Sequence, residues 1–226
     1  MRRDIRAVIF DMDGLMLDTE PIYKIAWQAA AADLGYPLDD ALYATFVGRP
    51  NVECERDLVA QFGLEFPLEQ FRARWPPLWK TEASARGIRK QAGLMELLAF
   101  LDTQDLALAV ATSTEADDAT FTLRSAALDG RFGVIVTGDQ VAQGKPAPDI
   151  YLEAARRLQV APETCIALED SEAGILAASR AGMVSLLVPD EARRPSALAM
   201  GAAFRVLPTL VEARDAICDL IARGAN

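Results

Sequence analysis

The chain has 226 residues, 51% of them hydrophobic, and its 33 acidic against 23 basic side chains leave a formal charge of −10 with no histidine at all. That length holds a core domain with a smaller insertion, and that acidity excludes a broad contact with nucleic acid, which needs a basic face. Cys54, Cys165 and Cys218 are too scattered for a zinc site or a disulfide framework. Aspartates cut the apolar run near the N-terminus, so it does not read as a signal peptide, and no apolar stretch is long enough to span a bilayer. The expected setting is a reducing cytoplasm.

In chain order, short apolar runs alternate with helical patterns. The runs are "AVIF" at 7–10, "LALAVAT" at 106–112, "GVIVTG" at 133–138, "TCIAL" at 164–168 and "MVSLLV" at 183–188. This alternation predicts an α/β fold, a parallel sheet with helices on both faces. Between the first two runs lie roughly ninety residues, far longer than an ordinary crossover. That stretch reads as helices punctuated by turns at "LGYP", "FGLEFP" and "RWPP", which places an inserted all-helical domain at 18–87 and the sheet domain at 1–17 and 88–226. An amphipathic helix from Gly93, apolar at 94, 97, 98 and 101, restarts the core.

In sheets of this kind, ligands bind beyond the carboxyl ends of the strands. Asp11 and Asp13 follow the first run and Thr112, Ser113 and Thr114 the second. Lys145, in "GKPAPDIY", follows the third, and Glu169 and Asp170 follow the fourth. Carboxylates, hydroxyls beside a helix start and one ammonium suit a phosphoryl group and a hard cation. Four acids at one edge repel one another unless a cation neutralises them, which points to Mg²⁺ among Asp11, Asp13, Glu169 and Asp170. Asp11 can then attack phosphorus, while Asp13 protonates the leaving oxygen and activates water. Thr112, Ser113 and Lys145 are the candidate phosphate ligands. Gly14 turns the backbone away without placing a side chain in the site.

With "DMDG", "AVATST", "GKPAPDIY" and "LEDSEAG" in this order, the chain resembles the haloacid dehalogenase superfamily, in its phosphatase and phosphomutase branch with a helical cap. The resemblance covers essentially the whole chain. It implies a Rossmann-like core, an aspartyl-phosphate on Asp11, acid/base work by Asp13, and phosphate binding by Thr112 and Lys145. It also implies Mg²⁺ on the Asp11 and Asp170 side chains and the Asp13 carbonyl, with Glu169 nearby. Asp13 favours phosphoryl transfer over dehalogenation, since dehalogenases proper lack the second aspartate. In the cap, Glu20 of "DTEP" and Arg49 of "VGRPN" sit where related caps present polar groups to substrate. "RKQAGL" has Gln91-Ala92-Gly93 where relatives usually carry proline-glycine.

Single motifs carry less. A lone DxDG also opens a calcium loop, but counting from Asp11 its fifth, sixth and twelfth positions are Leu15, Met16 and Ile22, which cannot serve. The expected function is a Mg²⁺-dependent phosphatase acting on a small phosphorylated metabolite, a sugar phosphate first. The alternative within this chemistry is a β-phosphoglucomutase-like phosphomutase, disfavoured because Tyr23 and no histidine stands early in the cap and Glu115 would repel a second phosphate. A non-catalytic metabolite-binding relative has no need of Asp13, Lys145 and Asp170 together.

Overall fold

The computed structural model describes residues 4–47, 49, 51–189 and 194–225. The chain divides into two compact units, Thr19–Ile88 and the remainder on either side of it.

The larger unit is built on a parallel sheet. Its first strand, β1 (Ala7–Phe10), is wholly buried, as expected of a strand with neighbours on both edges and helices on both faces. A tight loop leads to β2 (Leu17–Asp18), which pairs antiparallel with β3 (Arg89–Lys90) where the chain returns from the helical unit. That unit contains α1 (Glu20–Asp33), α2 (Asp40–Ala44), α3 (Asn51–Phe62) and α4 (Leu68–Arg86). The chain then alternates: α5 (Leu94–Leu101), β4 (Ala107–Ala111), α6 (Ala116–Ser125), β5 (Val134–Val136), α7 (Asp149–Leu158), β6 (Cys165–Glu169), α8 (Glu172–Arg180) and β7 (Val184–Leu187). It closes with α9 (Ala197–Ala202), β8 (Arg205–Val206) and α10 (Leu210–Ala225).

Among the described residues the main sheet has six strands in the order β5-β4-β1-β6-β7-β8, all paired parallel. The expected α/β class and Rossmann-like parallel sheet are therefore found, and the five apolar runs are five of its strands. The sixth, β8, is a two-residue edge strand too short to leave a periodic signal. The order puts β1 between β4 and β6, with Phe10 level with both Val110 and Leu168. Whatever follows Phe10, Ala111 and Leu168 must consequently share one edge.

The helical unit corrects one expectation. "LGYP" and "FGLEFP" are turns, with Gly35 and Gly63 at φ +85° and +93°, but "RWPP" is no turn: Pro76 and Pro77 lie inside α4. An interior proline costs a helix about 3 kcal/mol by removing a backbone hydrogen bond. Against that, Phe71, Trp75, Trp79 and Ala83 recur every four residues and line one face. Phe71 and Trp79 are buried, and the stripe packs on Tyr23 and Trp27 of α1, with ring centroids at 5.1 Å for Trp27–Phe71, 6.1 Å for Trp27–Trp75 and 5.4 Å for Tyr23–Trp79. Burying each large side chain contributes about 1.5–3 kcal/mol, so the packing outweighs the breakers.

Candidate active site

Asp11 continues β1 by one residue, and its N–H donates to the Leu168 carbonyl at 3.0 Å. Its carboxylate is thereby fixed at the sheet edge, almost out of reach of solvent. Lys145 reaches the same point from the loop before α7. Its Nζ donates to Asp11 Oδ1 at 2.5 Å, to Glu169 Oε1 at 2.5 Å and to the Ala111 carbonyl at 3.0 Å. The ammonium thus bridges the ends of three adjacent strands, β4, β1 and β6.

The electrostatics follow from this burial. Desolvation pushes the Asp11 carboxyl well above the usual range; Lys145 opposes the shift, and Glu169 and Asp170 add to it. Burial by itself would lower Lys145, but the attraction of Asp11 and Glu169 outweighs it and raises the lysine above its ordinary value. The lysine is therefore charged and serves as counter-ion to the acids around it.

Glu169, the last residue of β6, is fully buried. Besides Lys145, its Oε1 accepts from the Tyr151 hydroxyl at 2.6 Å, and its Oε2 accepts from the Ser171 hydroxyl at 3.0 Å. Ser171 also caps α8, accepting from the Gly174 N–H at 3.1 Å. Position 174 must be glycine, because a Cβ there would fall on the Glu169 carboxylate. Gly14 is required twice over: its φ is +90°, and a Cβ would strike the Asp170 carboxylate.

Ligand oxygens of Asp11, Glu169 and Asp170 lie within 4.8 Å of one another. Three carboxylates so placed form the hard, oxygen-only donor set that suits Mg²⁺. The Asp13 carboxylate lies outside that trio. Its Oδ2 accepts from the Thr114 hydroxyl at 2.8 Å and, more weakly, faces Thr112 Oγ1 at 3.4 Å. Thr112 Oγ1 in turn accepts from the Thr114 N–H at 3.1 Å. Ser113 is exposed on the same loop, and Gly138 permits close approach there, since a Cβ would meet the Ser113 carbonyl.

The structure thus brings Asp11, Lys145, Glu169 and Asp170 together and joins Asp13 to Thr112. Glu20 and Arg49 belong to the helical unit and have partners inside it. Glu20 Oε1 accepts from the buried Tyr43 hydroxyl at 2.8 Å. Arg49 pairs with Asp57 at 2.7 Å and with Glu53 at 3.5 Å. Sequence reasoning assigned no role to Thr114, Tyr151, Ser171 or Gln91, although it named Thr114 after the second run and Gln91 in "RKQAGL". Gln91 Nε2 donates to the Gly14 carbonyl at 2.8 Å, and its N–H to the Met16 carbonyl at 2.9 Å, so it braces the loop after β1. The unusual "RKQAGL" was the one available signal for it; Tyr151 and Ser171 have roles that only the fold exposes.

A parallel sheet whose central strand ends in a lysine-paired aspartate beside further acids defines the carboxylate-based centre of an α/β enzyme. The family model for haloacid dehalogenase-like hydrolases matches residues 8–188, and the chain belongs to that family. It is 38% identical over 179 residues to the phosphorylated carbohydrates phosphatase of Thermotoga maritima, covering 79% of this chain and 82% of that one. It is 34% identical over 201 residues to (DL)-glycerol-3-phosphatase 2 of Arabidopsis thaliana, covering 84% and 81%. Among solved structures, CbbY of Rhodobacter sphaeroides in complex with phosphate superposes with a TM-score of 0.76 at 29% identity, covering 92% of this chain and 96% of that one.

Proposed function

We propose that this chain is a Mg²⁺-dependent phosphatase of small phosphorylated metabolites, sugar phosphates foremost, working through an aspartyl-phosphate on Asp11. It is a phosphoric monoester hydrolase. The observation that carries the reading is Asp11 itself: a buried carboxylate at the end of the central strand, 2.5 Å from Lys145 and clustered with Glu169 and Asp170. The sugar preference is supported by the likeness to the Thermotoga enzyme.

In this mechanism the Asp11 and Asp170 side chains and the Asp13 carbonyl would hold Mg²⁺. When bound, the cation would neutralise charge on the phosphoryl oxygens and the crowded acids. Glu169 stands behind them, both its oxygens already engaged by Lys145, Tyr151 and Ser171. Lys145, Thr112 and Ser113 bind the phosphoryl oxygens. One Asp11 oxygen attacks phosphorus and the ester P–O bond breaks, with Asp13 giving its proton to the leaving alkoxide. Water then attacks phosphorus, Asp13 takes its proton, and the bond to Asp11 breaks to release phosphate. Thr114 holds Asp13 for both transfers. Glu20 and Arg49 are the proposed substrate-selecting residues of the helical unit, acting as a cap.

The test is a screen of sugar and polyol monophosphates for phosphate release with Mg²⁺ and with excess chelator. Chelation should abolish turnover, and Asp11→Asn should lower it by at least about a thousandfold, as loss of a nucleophile does. Full activity in chelator or in Asp11→Asn would refute the mechanism. Glucose 6-phosphate appearing from β-glucose 1-phosphate faster than free phosphate would establish a mutase instead.

A further inference from the structure

Tyr151 stands out against its surroundings. It lies in the first turn of α7, fully buried among Ala7, Ile9, Ala109, Ala111, Ile150 and Ala167. A hydroxyl in such an apolar setting is costly unless it is hydrogen-bonded. Its partner is Glu169 Oε1, at 2.6 Å. The hydroxyl is the donor in this bond, since the carboxylate can only accept. The ring also faces the lysine, whose Nζ lies 5.3 Å from the ring centroid.

Counting donors and acceptors shows what this bond does. An ammonium has three N–H donors, and in Lys145 they go to Asp11, Glu169 and the Ala111 carbonyl. A phosphoryl oxygen can reach this lysine only by replacing one of those acceptors. Asp11 is the acceptor that chemistry consumes, so Glu169 must hold the ammonium during the exchange. Glu169 can do so only if its own carboxylate stays put. Ser171 secures Oε2, and on Oε1 the donor other than Lys145 is Tyr151.

We infer that Tyr151 is a positioning residue of the active site: its hydroxyl locks Glu169 so that Lys145 keeps its place at the strand edge while it exchanges Asp11 for the phosphoryl group. The kinetic side of this inference rests on the phosphatase reading; its structural side does not.

The variant that tests it is Tyr151→Phe, which removes one oxygen and keeps the ring. Ile150→Val, a packing change in the adjacent buried residue, is the control. The first readout is the ¹⁵Nζ resonance of Lys145 in metal-free protein. It should be sharp in the wild type and in Ile150→Val, and broadened or lost in Tyr151→Phe. The second is steady-state kinetics with Mg²⁺ and the best phosphate ester, where Tyr151→Phe should lower kcat about tenfold, the size expected for a hydrogen bond to a charged group. KM should change less than about twofold, since Thr112 and Ser113 keep their own hold on the phosphoryl group. An unchanged Lys145 resonance, or the same kcat loss in both variants, would overturn the inference. A wild type inactive on every ester would count against the phosphatase reading, and the resonance would then decide the role of Tyr151 alone.

Discussion

The two units solve the problem of burial in opposite ways. In the helical unit the interior is largely aromatic: Trp27, Tyr43, Phe46, Phe66 and Phe71 are buried, with Tyr23, Tyr36, Phe62 and Trp75 packed against them. Charged groups such as Arg49, Arg74 and Asp33 pair at its surface, and its buried acid, Glu55, pairs with the half-exposed Arg72. In the α/β unit the layer around β1 and α7 is built of small and aliphatic residues, and charge is taken inside, at Asp11, Lys145 and Glu169. Large rings supply much of the buried area that holds the four helices together. Small side chains let strands and helices come close enough for a few buried polar groups to meet at fixed distances. Buried charge is costly unless paired, so it is concentrated where chemistry needs it.

The contrast can be broken most forcefully from the helical side. Phe71→Ala should cost about 3–5 kcal/mol, as for deletion of a fully buried aromatic. Since the three tryptophans of the chain, Trp27, Trp75 and Trp79, all lie in this unit, their fluorescence isolates its denaturant unfolding. The midpoint it reports should fall sharply.

The α/β side should respond to a much smaller change. Gly174→Ala adds a single methyl, but that methyl falls on the Glu169 carboxylate. Overpacking of this kind costs about 1–3 kcal/mol, yet turnover should fall far more than stability because Glu169 and Lys145 move together. Measured kcat and the denaturation midpoint of the variant compare the two effects directly. A loss of stability with intact turnover would show that the site tolerates displacement of its buried charges.

The mildest comparison uses thiols already present, one buried in each unit. Burial pushes both Cys54 in α3 and Cys165 at the start of β6 up to about 11, whereas Cys218 is exposed. The thiolate is the reactive form, so at neutral pH a thiol reagent should modify Cys218 first. Cys54 and Cys165 should react only as their own unit opens. Mass spectrometry of timed, digested samples gives the two opening rates separately, and equal rates would show that the units open as one.

Much of this was legible before folding. Period and length marked five of the main sheet's strands, because a strand buried on both faces must be apolar throughout. The rule that ligands gather at strand ends singled out Asp11, Lys145, Glu169 and Asp170 from three separate segments. Local punctuation was read too strongly at Pro76 and Pro77, where a stripe of rings four residues apart overrode it. It was read too weakly at β8, whose two residues carry no periodicity.

By itself, then, the sequence determined which residues end each strand and what chemistry they bring, since both follow from local pattern and residue type. Tertiary structure decided who meets whom. The order that seats β1 between β4 and β6 lets one lysine bridge Asp11, Glu169 and the Ala111 carbonyl. It also turns Thr114 toward Asp13 at 2.8 Å, leaving Thr112 at 3.4 Å, and aims the Tyr151 hydroxyl at Glu169 from within an apolar layer. Those pairings span up to 134 residues of chain. No local pattern encodes them, because the free energy that fixes them comes from burying the sheet and its helices as a whole.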